Sequence, residues 1–192
     1  VNEEEKPDYK YLENFVNKIH YHNWGNNIGF IRNNMESPCK FSVCMDDDIQ
    51  DIQYQGLPIE NFKDLIQKAY NGLIENNLYL AGVNAIHNWF FMKNSNEVTT
   101  NLKYICGALY FELKHPTEER VKRELPRHGE DFEYTIKVFN RDKGVLRFNH
   151  YGIKTKYFGS GGINLSYGGM EQRQLAMKTA CEYIVDKYPR MA

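Results

Sequence analysis

The chain has 192 residues, 42% of them hydrophobic and 14% aromatic, with a formal net charge of −1. That is enough apolar material for one core, and too little net charge for an intrinsically disordered segment. The near-neutral balance excludes attraction to nucleic acid or membrane through overall charge, and four cysteines at 39, 44, 106 and 181 are too sparse and irregular for a disulfide scaffold.

The expectation is a single globular domain over 1–192, soluble and with reduced thiols, in the cytoplasm or another reducing compartment. The longest apolar stretch, Ile86 to Met92, is interrupted by His87 and Asn88 and falls short of the roughly 20 residues a spanning helix needs. The chain opens on Val1 followed by acidic residues, which is not a leader pattern. This suggests a piece excised from a longer polypeptide, and in that case an extracellular location stays open.

Leu12, Phe15, Val16 and Ile19 share one helical face after Pro7 and Asp8, so a helix is predicted over 8–20. The asparagine- and glycine-rich stretch 20–55 reads as loops with one or two short strands. Pro58 opens the clearest helix, carried by Phe62, Leu65, Ile66, Ala69, Tyr70, Leu73 and Ile74 and ended at Asn76-Asn77. The apolar run 79–92 fits a second buried helix or a strand, and helix is preferred.

The second half reads differently. Segments 104–113, 132–139, 145–150 and 153–158 are short and rich in aromatic and β-branched residues, which predicts an antiparallel β-meander. Asn140 to Gly144 would be a hairpin loop and His150-Tyr151-Gly152 the next reversal. Thr117 would cap a short exposed helix, and a glycine-rich segment, 159–169, leads to a final helix over 170–188 that Pro189 stops. The fold class expected is α+β, a helical N-terminal half packed on an antiparallel meander and closed by a C-terminal helix.

Several groups of residues could carry chemistry. Gly161 and Gly162, ahead of the last helix, could cradle an anion, but the segment lacks the lysine and hydroxyl residue of a P-loop. His20, His22, Cys39 and Cys44 are acceptable zinc ligands with a cysteine spacing too wide for a zinc site, and Asp46 to Asp48 with Asp51 lack EF-hand spacing. No metal and no cofactor are therefore expected.

His87-Asn88-Trp89 resembles the His-Asn-Trp of EndoU-type endoribonucleases, whose sites use two histidines and a lysine. The family's other histidine should lie shortly upstream, and the nearest here is His22. The resemblance implies acid–base cleavage beside a 2′-hydroxyl. An acid–base pair of His87 with His150 or His128, and Lys154 or Lys156 holding a phosphate, suits groups that titrate near neutrality.

On the expected meander, Lys137, Arg147, Lys154 and Lys156 alternate with rings such as Tyr151. Such a surface could track phosphates and stack the bases of single-stranded nucleic acid. Charge is also unevenly placed: residues 1–60 hold eleven acidic and five basic residues, and 114–158 hold eleven basic and seven acidic ones. With no nucleophile elbow, metalloprotease helix or kinase set visible, the leading expectation is a non-catalytic binding or assembly domain. It would contact a protein partner, or a second copy, through opposed acidic and basic surfaces. The alternatives are a small hydrolase built on His87, His150 and Lys154, and a nucleic-acid binder using Lys137, Arg147, Tyr151, Lys154 and Lys156.

Overall fold

A computed structural model describes residues 6–14, 19, 33, 39–116, 121–125, 128–155 and 169–191. Within these, α1 (Lys6–Tyr9) and a 3₁₀ turn, Lys10–Asn14, occupy the start of the predicted first helix, and residues 15–18 and 20 lie outside the described residues. A seven-stranded sheet follows, built from β1 (Phe41–Met45), β2 (Ile49–Tyr54), β3 (Leu57–Pro58), β4 (Leu80–Asn84), β5 (Val98–Thr99), β6 (Leu109–Leu113) and β7 (Leu146–Thr155). The helices around it are α2 (Phe62–Asn76), α3 (Trp89–Met92), α4 (Glu130–Asp142) and α5 (Met170–Lys187).

The strand order is β1-β6-β4-β7-β2-β3, with β5 added to β7. All pairs are antiparallel except β4 with β7, so the sheet is mixed and the expected meander is corrected. The α+β class stands. The helical N-terminal half does not, because β1 to β5 all lie between residues 41 and 99.

Helix α2 forms where its periodicity predicts. Asn61 caps it by accepting from the Lys63 amide at 3.0 Å, and Asn77, with φ 52°, ends it in the left-handed region that asparagine tolerates. Its buried stripe, Leu65, Ala69 and Leu73, packs on one sheet face with Val83, Phe111, Leu146, Phe148 and Ile153. Helix α4 covers the other face, where Tyr134 and Val138 meet Leu80, Ile105, Tyr110 and Val145. Strand β4 lies between both helices and is buried along its length to Val83, which explains its unbroken apolar reading.

Three expectations for the second half change with this arrangement. Residues 132–139 are helix, because Gly129 and the acidic residues Glu130, Asp131 and Glu133 start α4 and favour the positive end of its dipole. The Asn140 to Gly144 loop is that helix's C-terminus, with Lys143 at φ 62°. Thr117 lies outside the described residues, and 121–125 is not helical.

The third change concerns Gly152, which does not turn the chain. Strand β7 runs through it unbroken for ten residues. A Cβ added there would lie 2.2 Å from the carbonyl oxygen of Ile86 and 2.8 Å from the Cα of His87, so the missing side chain lets the loop after β4 lie directly on the strand. Gly152→Ala is therefore expected to destabilise the domain by about 3 kcal/mol or more, since backbone cannot yield as a side chain would. Urea denaturation of the two proteins checks this, and a loss below about 1 kcal/mol would show that the loop can lift without consequence.

Candidate functional site

The geometry of the site follows from a change of phase in β7. Leu146 and Phe148 face α2, and so do Tyr151 and Ile153. The pairing with β4 steps from Val83↔Phe148 to Asn84↔Gly152, which marks a bulge. Asn149 sits in that bulge, buried, donating from its amide to the Asn96 carbonyl at 2.8 Å and to the Thr99 hydroxyl at 3.0 Å. By strand alternation His150, Gly152 and Lys154 then share the face opposite α2.

The loop seated on Gly152 brings His87 to the same face, between the positions of His150 and Lys154. The predicted trio of His87, His150 and Lys154 is thus gathered in one region, with Asp51 directly opposite Lys154 and Gln53 opposite Gly152 on β2. His87 and Lys154 are exposed. His150 is committed elsewhere: its Nε2 lies 2.9 Å from the Ser95 carbonyl oxygen and so donates to it. Its Nδ1 is buried without a partner, and the Trp89 ring stands edge-on at 5.0 Å.

Each residue of the His-Asn-Trp motif has a local task. Asn88 caps α3 by accepting from the Phe90 amide at 3.0 Å. Trp89 wedges against His150 and against the β2–β3 turn, where a Cβ at Gly56 would come within 3.0 Å of the Trp89 Cβ. Gln55 and Gly56 both adopt positive φ there, 53° and 84°, as a two-residue hairpin requires. The residues that follow the motif point outward. Phe90 is 67% and Phe91 68% exposed, Ile86 is 46% exposed, and Leu57 on the adjoining hairpin is 70% exposed. The Lys93 ammonium lies 5.0 Å from the Phe90 ring centre. Apolar residues are placed in the core by default in a sequence reading, so this outward aromatic turn had no signal beyond its composition.

The chain matches no family model, no curated protein and no solved structure.

Among the described residues, the other predicted binding residues do not share a surface. Tyr151 is buried, accepts a hydrogen bond from Lys68 Nζ at 3.1 Å, and packs against Tyr54 with ring centres 4.6 Å apart. That bond holds the Lys68 ammonium above its usual range. Lys137 lies on α4 and pairs with Glu124 and Glu133. Arg147 is half-buried, with Nη1 3.3 Å from the Tyr104 carbonyl. Lys156, Gly161, Gly162, His20 and His22 fall outside the described residues. Among the described residues no three potential metal ligands cluster.

A second polar cluster is dense, and sequence reading missed it. Glu133, fully buried, accepts from the amides of Glu124 and Leu125 at 2.6 and 3.0 Å and pairs with Lys137 at 3.0 Å. Glu124 bonds Lys137, Tyr183 and Lys187, and Arg123 pairs with buried Glu130 while its guanidinium sits 3.6 Å over the Tyr134 ring. Its one signal in the sequence, the i,i+4 spacing of Glu133 and Lys137, has meaning only once the segment is known to be helix. The cluster ties α5 and the 121–125 segment to α4.

Hydrogen bonds from Lys137, Lys187 and Tyr183 hold the Glu124 carboxyl well below its usual 4.5, at about 2. A depressed carboxyl contributes stability above its unfolded pKa and loses that contribution as pH falls through the folded value. Stability should therefore decline from near pH 4.5 towards pH 2 in part through Glu124. Urea denaturation across this range should show a shallower acid limb for Glu124→Gln, and parallel limbs would assign the decline to other groups.

Proposed function

We propose that this domain is a binding module whose contact surface is the aromatic turn at α3 with the neighbouring β2–β3 hairpin. The observation that carries the reading is the exposure of Phe90 and Phe91, 67% and 68%, beside exposed Ile86 and Leu57. Contiguous exposed apolar side chains mark interaction sites, and aromatic anchors dominate binding energy at protein interfaces.

Opposed charge contributes less to this reading than the distribution along the chain suggested. Arg123, Lys137 and Arg141, counted among the basic residues of the second half, each pair with a carboxylate of the same molecule. Asp46, Asp47 and Asp48 remain exposed and would steer a basic partner, raising the association rate more than the affinity. The partner is a protein, or a second copy of this chain, presenting an apolar groove.

The test is a double variant, Phe90→Ser with Phe91→Ser. Its stability should stay within about 0.5 kcal/mol of the parent, because both rings are outside the core. Concentration-dependent sedimentation would read self-association, and capture from lysate would read a second protein. Either interaction should weaken at least tenfold in the variant; undiminished association would move the contact surface elsewhere.

The placement of His87 favours a second reading, acid–base cleavage of RNA. With His150 held by Ser95 and Trp89, proton transfer would rest on His87, and Lys154 would hold the phosphate. Single-stranded RNA incubated with the parent protein and with His87→Ala, then run on a denaturing gel, decides it. Cleavage that disappears in the variant supports the reading, and RNA left intact by the parent removes it.

A further inference from the structure

The two ends of the sheet differ. At one end the short β3 closes a hairpin, and at the other β1 is a five-residue strand with a neighbour, β6, on one side only. The Lys114 amide donates to the Lys40 carbonyl at 2.8 Å and the Asp46 amide to the Ala108 carbonyl at 2.9 Å, so the even-numbered residues of this stretch exchange hydrogen bonds with β6. Antiparallel pairing alternates along a strand, and the amides and carbonyls of Phe41, Val43 and Met45 therefore point away from the sheet. Among the described residues no strand pairs with them.

Proteins blunt an open edge with charge, proline or a bulge. Strand β1 carries none of these: it reads Phe-Ser-Val-Cys-Met, and its register with β6 is regular throughout. Its rim on the α2 face is apolar. There Val43 is 37% and Met45 56% exposed, and Phe41 stands edge-on at 5.4 Å to the ring of Tyr70, which is itself exposed. Charge lies just outside the strand with opposite sign at its two ends, exposed Lys40 before it and exposed Asp46, Asp47 and Asp48 after it.

That order is self-complementary. When a second β1 is laid antiparallel against the first about Val43, Val43 meets Val43 of the second copy, Phe41 meets Met45, and Lys40 meets Asp46 at both ends. All of β1 is then paired, and residues 41, 43 and 45 of each copy exchange the hydrogen bonds that point outward. Directly opposed residues share a face, so Met45 of one copy would cover Phe41 of the other beside Tyr70, while the Lys40 and Asp46 pairs form on the α4 face. We propose that β1 is a dimerisation strand, pairing antiparallel with β1 of a second copy so that two sheets become one across a two-fold axis at Val43. This surface lies at the opposite end of the sheet from the β2–β3 hairpin and does not depend on the aromatic turn.

The test compares the whole parent chain with Lys40→Asp, with Asp46→Lys and with an equimolar mixture of these two variants by sedimentation equilibrium. The parent is expected to dimerise reversibly at concentrations below about 1 mM, and hydrogen exchange at its Val43 amide should slow as the dimer forms. Each variant alone sets like charges opposite one another at both ends and should weaken dimerisation roughly tenfold or more. In the mixture the altered residue of one chain faces the altered residue of the other, opposite signs return at both ends, and mixed dimers should form about as tightly as those of the parent. A parent that is monomeric at about 1 mM overturns the proposal and leaves the edge to a strand of another protein. A Val43 amide whose exchange ignores concentration overturns it without any variant, and so does a mixture that associates no better than its components. A dimer lost on Phe90→Ser with Phe91→Ser and kept in both charge variants belongs to the aromatic turn and overturns it as well.

Discussion

The contact between Gly152 and the backbone of Ile86 and His87 is the constraint on which the rest of this architecture depends. A long strand normally buries or presents its side chains on both faces along its whole length. At Gly152 one face is left bare, and the chain leaving β4 crosses it at van der Waals range. That crossing carries the chain from β4 over β7, so that α3 and then β5 reach the far edge of β7 before the chain returns to β6 on the other side of β4. The missing side chain thus leaves room for the path that leads from β4 to α3.

The two faces of the sheet are stabilised by different means. The α2 face is apolar, with Leu65, Leu73, Phe111 and Leu146 almost wholly buried, and its contribution follows buried area. The α4 face combines a smaller apolar cluster with buried Glu133 and Glu130, which meet the 121–125 segment through its backbone amides and through buried Arg123. Buried ion pairs roughly cancel against their desolvation, yet removing one partner costs several kcal/mol. Such a cluster adds little net stability and fixes which segment docks where. It suits α5, which buries only Ala180 and Ile184 of its eighteen residues and so lacks the apolar stripe to choose its own seat.

The parts of this fold that were legible in the sequence are those whose pattern is local. Helix α2 carries an unbroken 3.6-residue period, and α5 ends before a proline, so both were placed from sequence. Helix α4 was read as a strand because 132–139 is short and rich in aromatic and β-branched residues; in the helix Glu133 and Thr135 are buried together with Tyr134, Ile136 and Val138. Gly152 signals a turn and close approach equally, and only the tertiary structure distinguishes them. His87, His150 and Lys154 could be singled out by chemical type, but their common face depends on the bulge at Asn149, which has no sequence signature. The exposure of Phe90 and Phe91 was invisible for the converse reason, since burial is the ordinary fate of phenylalanine.

A contact surface on a one-turn helix needs external support, because so short a helix is not stable on its own. The surroundings of α3 provide it at several points. Asn88 caps the helix, the Ser95 carbonyl that follows it is held by His150, and Trp89 lies between His150 and the β2–β3 turn. Beyond it, Asn149 holds the returning chain at Asn96 and Thr99. Every one of these contacts is made by a residue behind the turn, and none uses Phe90 or Phe91 as a core anchor. Rings held out on a braced backbone lose little conformational freedom on association, so most of the apolar area they bury would appear as affinity. In the proposed binding module His150 and Trp89 would serve the surface by positioning it, and the motif that resembles a catalytic one in the sequence would be its frame.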